Sequence, residues 1–214
     1  MIFKETKIDS IMFDLDGTLW NPTAITLKAL QLAVEKIPEI TQKITANDVR
    51  SIFGLQHNQV IKKLFPYLDE SVQKKIDIAA SLELNLLAKS NACFLFDNVE
   101  NVLKTLKSNY PLFIVSNCQK GYIETFLERN NFQDYFIDYE CSGNTGQNKA
   151  FNIKHVITRN NLQHPVYIGD TQIDADASKE NNIPFIYAKY GFGEVEEHSY
   201  AIEDIAELLK FFIV

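Results

Sequence analysis

The stretch Ile8-Asp9-Ser10-Ile11-Met12-Phe13-Asp14-Leu15-Asp16-Gly17-Thr18 decides how the rest of the chain is read. Its first six residues are mostly apolar and read as a buried strand, so Asp14 and Asp16 stand two residues apart at the strand's carboxyl end. Side chains alternate along a strand but not through the loop after it, so both carboxylates can converge on one reacting group. Gly17 permits the sharp turn this requires. Asp and Gly also build ordinary Asx turns, and the string alone fits one. The other strand ends have to decide.

Downstream, from Thr23 to about Ser90, the pattern is helical. Leu27, Leu30, Val34 and Ile37 recur at spacings of three and four, as do Val72, Ile76, Ala80, Leu84 and Leu87, which predicts amphipathic helices punctuated by Pro38 and Pro66. From Val99 onward, helices and strands alternate. Helices are expected at Val99–Asn109, Tyr122–Arg129, Ala150–Arg159, Ala175–Asn181 and Ile202–Phe212, and strands at Leu112–Val115, Phe136–Tyr139, Val166–Ile168 and Phe185–Ala188. That alternation predicts a mostly parallel sheet covered on both faces. The expected fold class is therefore α/β: a Rossmann-like parallel sheet core over residues 1–20 and 91–214, plus a small all-helical cap domain over residues 21–90. The joints fall near Leu19–Thr23 and Lys89–Asp97, where the helical insert could hinge as a lid over the strand ends.

Further strands end in polar residues: Ile114-Val115 runs into Ser116-Asn117, Lys149 stands just before an amphipathic helix, and Tyr167-Ile168 runs into Gly169-Asp170-Thr171, with Asp174 four residues on. In a parallel sheet these groups share the edge that carries Asp14 and Asp16. Four carboxylates and one lysine in one cleft would raise a carboxylate's pKa or recruit a cation. Oxygen ligands in an open, partly hydrated site suit Mg2+. A cation, a lysine, a serine hydroxyl and backbone N–H groups together suit a phosphoryl group.

Composition limits the partners. The chain has 214 residues, 46% of them hydrophobic, and a net charge of -7. An acidic chain argues against broad binding of nucleic acid, which needs basic patches. No apolar stretch reaches the length of a membrane span, and Met1 to Lys7 alternates charged and apolar residues, so a cytoplasmic protein with a small-molecule partner is expected. The oligomeric state stays open, a monomer being compatible with everything above. Cys93, Cys118 and Cys141 lack Cys-x-x-Cys spacing and are expected as reduced, buried thiols. His57, His155, His164 and His198 form no metal-binding pair.

Together, Asp14-Leu15-Asp16-Gly17-Thr18, Ser116-Asn117, Lys149 and Gly169-Asp170-Thr171 with Asp174 resemble the four motifs of the haloacid-dehalogenase superfamily of phosphohydrolases, in the helical-cap branch that includes phosphoglycolate phosphatases. The resemblance covers nearly the whole chain. It implies Asp14 as nucleophile and Asp16 as general acid/base. It also implies phosphate binding by Gly17, Thr18, Ser116 and the Asn117 backbone, with Lys149 tying the phosphate to the nucleophile. Mg2+ would be held by Asp14, the Asp16 main-chain carbonyl and Asp170, with Asp174 bound directly or through water. The implied reaction is hydrolysis of a small phosphate ester, phosphoglycolate-like or a sugar phosphate.

Some features depart from the family's pattern or stay open. Trp20-Asn21-Pro22 follows the first motif where many relatives carry small or acidic residues, and Trp20 reads as a hinge-packing aromatic. Gly54-Leu55-Gln56-His57 falls where relatives place a cap loop facing the substrate, and Tyr190-Gly191-Phe192-Gly193-Glu194 resembles a loop of the phosphoglycolate-phosphatase branch but equally fits a plain two-glycine turn. Mutases of the beta-phosphoglucomutase type share all four motifs but carry a cap-side His ten residues after the second Asp, where this chain has Thr26. A threonine cannot replace an imidazole in proton transfer near neutral pH. A non-catalytic binding module on the same fold is the remaining alternative, and the intact Asp14, Asp16, Lys149 and Asp170 speak against it.

Overall fold

The computed structural model describes residues 7–35, 37–89, 95–198 and 200–213. Within them, β1 Ser10–Phe13, β2 Leu112–Ser116, β3 Asp138–Cys141, β4 Pro165–Gly169, β5 Phe185–Ala188 and β6 Tyr200–Ile202 form one sheet in the order β3-β2-β1-β4-β5-β6. Every neighbouring pair is parallel. β1 is central, with Phe13 opposite Ile114 of β2 on one side and Ile168 of β4 on the other.

The strands' apolar residues divide cleanly by parity, as a period of two requires. Ile11, Phe13, Ile114 and Ile168 face a core closed by α5 Val99–Leu106, α6 Tyr122–Asn130 and α10 Leu208–Phe212. Met12, Phe113, Val115 and Tyr167 face the opposite core, closed by α8 Lys149–Arg159 and α9 Gln172–Glu180. Strands buried on both faces read as continuous apolar runs, which is why β1, β2 and β4 are plain in the sequence.

Edge strands differ from the expected boundaries for a physical reason. β3 begins at Asp138 rather than Phe136, because Phe136 turns inward edge-on to Phe13 at 6.4 Å and only Asp138 pairs with Phe113. The polar side chains of β3 are held by Arg159, which reaches Asp138 at 2.7 Å and Glu140 at 2.8 Å. At the other edge, Tyr200–Ile202 is a short strand where a helix was expected to start. Asp204 ends it by accepting from the Ala206 N–H at 2.7 Å, and a 3-10 turn, Ile205–Glu207, then leads into α10. A four-residue α7, Ser142–Thr145, follows β3 and was not foreseen.

Between β1 and α5 the chain forms α1 Thr23–Val34, α2 Ala46–Arg50, α3 His57–Leu64 and α4 Glu70–Ala88. These helices share a core of their own, built on Leu30, Ile52, Ile61, Phe65 and Ile76. Thr45 and Asp48 fix the start of α2 by reciprocal capping bonds. The two chain crossings pair with each other, Trp20 opposite Leu95 and the Phe96 N–H donating to the Leu19 carbonyl at 3.2 Å. Arg129 donates to the Ala88 carbonyl at the far end of α4. Cys118 is half-buried and Cys141 buried, both free thiols, while Cys93 lies outside the described residues. No described helix is long and apolar enough to cross a membrane.

Ile76 is fully buried in the helical core, so Ile76→Ala should cost about 2–5 kcal/mol there. Hydrogen exchange should quicken across α1 to α4 well before it does in β1 and β2. Equal loss of protection in both regions would show that the helices do not unfold as a separate unit.

Candidate active site

All the chemistry-bearing groups lie at the carboxyl edge of the sheet, where connections leave β1 in opposite directions. Asp14 follows β1, and its N–H still donates to the Ile168 carbonyl at 2.8 Å, so the ladder extends one residue into the site and fixes the position of Asp14. Ser116 ends β2, Asp170 follows β4, and Lys149 opens α8. The start of α8 is set by Asn148, whose side chain accepts from the Phe151 N–H at 2.8 Å.

Lys149 is 1% exposed, with Nζ 2.9 Å from Asp14 Oδ1 and 2.5 Å from Asp174 Oδ1. The other oxygen of Asp174 accepts from the Thr171 N–H at 2.9 Å and the Thr171 hydroxyl at 2.7 Å, capping α9. Both oxygens of Asp174 are therefore engaged. Its capping role starts α9 at Gln172, three residues before the expected Ala175.

Asp170 is enclosed from three sides. Its Oδ2 accepts from the Phe192 N–H at 2.7 Å, and the Thr18 hydroxyl stands 3.5 Å from Oδ1. Gly17 has φ +88°, and a Cβ there would lie 2.1 Å from Asp170 Oδ2; one at Gly191 would lie 2.3 Å from the Asp170 Cβ. Only glycine lets both backbones close on this carboxylate. The Tyr190 hydroxyl completes the enclosure by donating to the Thr18 carbonyl at 2.8 Å. The segment Tyr190 to Glu194, open between a turn and a functional loop in the sequence, thus braces Asp170.

Asp16 is held differently. Trp20 Nε1 at 2.6 Å and the Tyr122 hydroxyl at 3.1 Å both donate to its Oδ1, leaving Oδ2 for a ligand. Trp20 is a packing aromatic as expected, edge-on to Tyr122 and Phe126 at 5.3 and 5.1 Å. Its second role as a donor to Asp16 was not foreseen. Neither was Tyr122, 106 residues away from its acceptor.

These groups meet a cavity of about 90 Å³ between the sheet edge and the helical unit. Asp14, Asp16, Ser116, Asn117 and Lys149 form its floor. Gly17, Thr18, Asp170 and Asp174 lie outside that lining and pack around one another. The loop after α2 closes the cavity: the Asn117 side chain donates to the Gly54 carbonyl at 2.8 Å, and Phe53 stacks on Phe192 at 4.5 Å. Gly54 and Leu55 line the cavity. His57 begins α3, and its side chain lies outside the described residues.

The family model for haloacid dehalogenase-like hydrolases matches residues 11–188, a span holding Asp14, Asp16, Ser116, Asn117, Lys149, Asp170 and Asp174 but not the bracing segment Tyr190 to Glu194. The chain belongs to that family. Among solved structures, the chain resembles a predicted phosphoglycolate phosphatase from Haemophilus somnus at 18% identity and a TM-score of 0.87, covering 97% of this chain and 99% of that one. A haloacid dehalogenase-like family protein from Streptococcus pneumoniae shares 22% identity at TM-score 0.83, over 96% and 98% of the two chains. A predicted phosphatase from Clostridium acetobutylicum shares 21% at TM-score 0.80, over 96% and 98%. At such identities the likeness speaks for the fold. No curated protein matches the chain.

In this haloacid dehalogenase-like hydrolase the site is short of positive charge. Burial pushes the Asp14 carboxyl up to about 6, with Lys149 lowering it and Asp174 raising it. Burial and the Asp14 charge push Asp16 up to about 7 against the bonds from Trp20 and Tyr122. Asp170 is raised well above the carboxylate range by burial, Asp174 and Asp14. For Lys149, burial opposes the charge, but Asp14 and Asp174 more than offset it and hold the ammonium firmly protonated. Oxygens of Asp14, Asp170 and Asp174 lie within 4.8 Å of one another, all buried. Hard oxygen donors, crowded and short of a countercharge, fit a divalent cation.

That crowding is testable without any assay of turnover. A divalent cation at 100 times its Kd should stabilise the protein by about 2.7 kcal/mol, seen as a rise in Tm. Asp170→Asn should remove most of this rise while melting no lower than the parent in EDTA. An undiminished rise in the variant would place the cation elsewhere.

Proposed function

We propose that this hydrolase is a Mg2+-dependent phosphatase that cleaves a small phosphorylated metabolite through an aspartyl phosphate on Asp14. The observation that carries the reading is the placement of Asp14 and Asp16 on one cavity floor, with Lys149 Nζ 2.9 Å from Asp14 Oδ1. An Asp placed to attack, a second carboxylate to move a proton and a buried lysine suit phosphoryl transfer, whose demands are positioning and charge neutralisation.

In the first half, an Asp14 oxygen attacks phosphorus while Asp16 gives its proton to the departing alcohol oxygen. In the second half, Asp16 takes a proton from water, the water oxygen attacks phosphorus, and Asp14 leaves with inorganic phosphate as the product. Lys149, the Ser116 hydroxyl and the Asn117 backbone hold the phosphoryl oxygens. Asp14, the Asp16 carbonyl and Asp170 would hold Mg2+, with Asp174 beside them, and the ion would neutralise charge on the phosphoryl group. Residues 21–90 act as a cap that excludes water from the first half. The acidic surface charge supports a small soluble ester in the cytoplasm as substrate.

Asp14→Asn should lose hydrolysis of all phosphate esters by at least about 10³-fold at unchanged fold, since it removes the nucleophile. Activity should also stop in EDTA and return with Mg2+ but poorly with Ca2+, whose bonds are longer and more numerous. A clean Asp14→Asn preparation that still turns over would remove the covalent route.

Tyr122→Phe deletes one hydrogen bond to Asp16 and no packing. A bond to a charged group is worth about 1.5–3 kcal/mol, so kcat should fall about ten- to hundredfold with KM little changed. A shift confined to KM would mean that Tyr122 serves binding rather than the orientation of Asp16.

A further inference from the structure

We infer, resting on the phosphatase reading, that Thr26 and Gln119 form a specificity pair for hydroxyls on the leaving group, so that the preferred ester is the monophosphate of a polyol rather than of a plain alcohol.

Hydroxyls inside this chain's helices set the standard. Those of Thr105, Thr125, Thr158 and Ser178 donate to the carbonyl four residues back, at 2.9, 2.9, 2.8 and 2.8 Å in turn. That local bond is the usual resting place of a Thr or Ser hydroxyl within a helix. Thr26 of α1 breaks the pattern. Its N–H donates to the Pro22 carbonyl at 2.9 Å, so an acceptor four residues back is at hand. Its Oγ1 nevertheless makes no hydrogen bond, is shielded from solvent, and belongs to a residue that lines the cavity. Buried polar atoms normally find partners, so a hydroxyl turned from a local one is set for a ligand.

Gln119 supplies the second unpartnered atom, from the core side. Its Nε2 is buried and without a partner, and the residue lines the same cavity. The main chain behind it is held firmly. Its carbonyl accepts from the Tyr122 N–H at 3.3 Å, and the Gly143 N–H donates to the neighbouring Cys118 carbonyl at 3.0 Å. The α7 backbone packs so closely that a Cβ at Gly143 would lie 2.5 Å from the Gln119 carbonyl carbon and 2.1 Å from the Lys120 nitrogen. Ser116 and Asn117 precede Gln119 in the chain, and Tyr122, the donor to Asp16, follows it. The amide therefore stands at a fixed distance from the reacting centre, as a specificity contact requires.

A hydroxyl suits both atoms. It accepts from the amide N–H and donates to or accepts from the Thr26 hydroxyl, and it serves equally well if the amide is turned over. A polyol offers one to each side of the cavity. Hydrogen or methyl in the same places leaves both protein atoms buried and unpaired, and a site in that condition rejects the analogue that lacks the oxygen.

The experiment compares kcat/KM in Mg2+ for glycerol 1-phosphate and n-propyl phosphate, which share charge and chain length and differ in their hydroxyls. The parent should prefer glycerol 1-phosphate by at least about tenfold. Thr26→Val and Gln119→Met keep the side-chain volume and remove the polar atom. Each should cut that ratio several-fold, and the double variant should bring it near one. Each should also melt no lower than the parent without ligand, because the atom it removes has no partner to lose. In calorimetry with Mg2+, Asp14→Asn should bind glycerol 1-phosphate more tightly than n-propyl phosphate, and adding Thr26→Val should weaken that preference. A parent ratio near one, variants that keep the parent's ratio, or a clear drop in Tm overturns the pair's role and leaves the phosphatase reading standing. If the parent turns over neither ester while Asp14→Asn keeps the binding preference, the phosphatase reading falls and the pair stands as a binding determinant. If neither ester is turned over or bound, both fall.

Discussion

The burial of a single ammonium group between two carboxylates governs this structure. Lys149 belongs to α8, Asp14 to the end of β1 and Asp174 to α9, so one ion pair cluster ties three elements at the sheet edge. Leaving one member of such a cluster without its partner costs about 3–5 kcal/mol, and that penalty rejects arrangements in which the three elements fail to meet. Each member is also fixed independently, Asp14 by the ladder bond to Ile168, Lys149 by the Asn148 cap and Asp174 by its bonds to Thr171. The cluster still leaves the site negative: Asp14, Asp16, Asp170 and Asp174 against one lysine. A site with that imbalance is suited to a cationic partner on one side and to phosphoryl chemistry on the other.

The helical unit touches this edge through a short loop rather than a broad interface. Gly54 offers its carbonyl to Asn117, which also accepts from the Ser142 hydroxyl at 2.7 Å, so one side chain joins the second strand end to the loop and to α7. Phe53 stacks on Phe192, whose own N–H holds Asp170. Lifting the loop would break the Asn117 bond and uncover Phe192, two changes that reach two different site residues. The cavity is thus complete only with the loop down, which couples the position of the helices to the polar floor by direct contact.

The parallel core was legible because strands buried on both faces must be apolar throughout, and because their polar ends collect where the chain leaves the sheet. Asp14, Ser116 and Asp170 stood out for that reason. The edge strands were less legible: β3 was expected two residues early, because it carries Asp138 and Glu140, stabilised by Arg159 from a helix that follows later, and β6, with three residues, was missed. The partners of Asp16 and Asp170 were hidden for a different reason. Tyr122 and Phe192 act through a hydroxyl and a backbone N–H, and neither residue type announces a bond made across more than twenty positions. Helical spacing marked Leu30 and Ile76 as core, yet it could not tell which residues turn to the cavity, since that depends on how the helices sit over the sheet.

In the proposed mechanism, the reason water should win the phosphoryl group lies in the anchoring of Asp16. Its Oδ1 is occupied by Trp20 and Tyr122, so in the proposed reaction the same oxygen, Oδ2, would face the ligand in both halves. A group that first gives a proton to the leaving oxygen is then correctly placed to take one from whatever replaces it, and a water molecule fits the space the alcohol has left. For a sugar hydroxyl to compete, the cap would have to supply its own base. At the matching position α1 offers Thr26, whose hydroxyl is neutral and does not titrate near neutral pH. On the proposed mechanism the floor of the cavity would therefore serve hydrolysis with one carboxylate, and Thr26 across from it could not activate an alcohol.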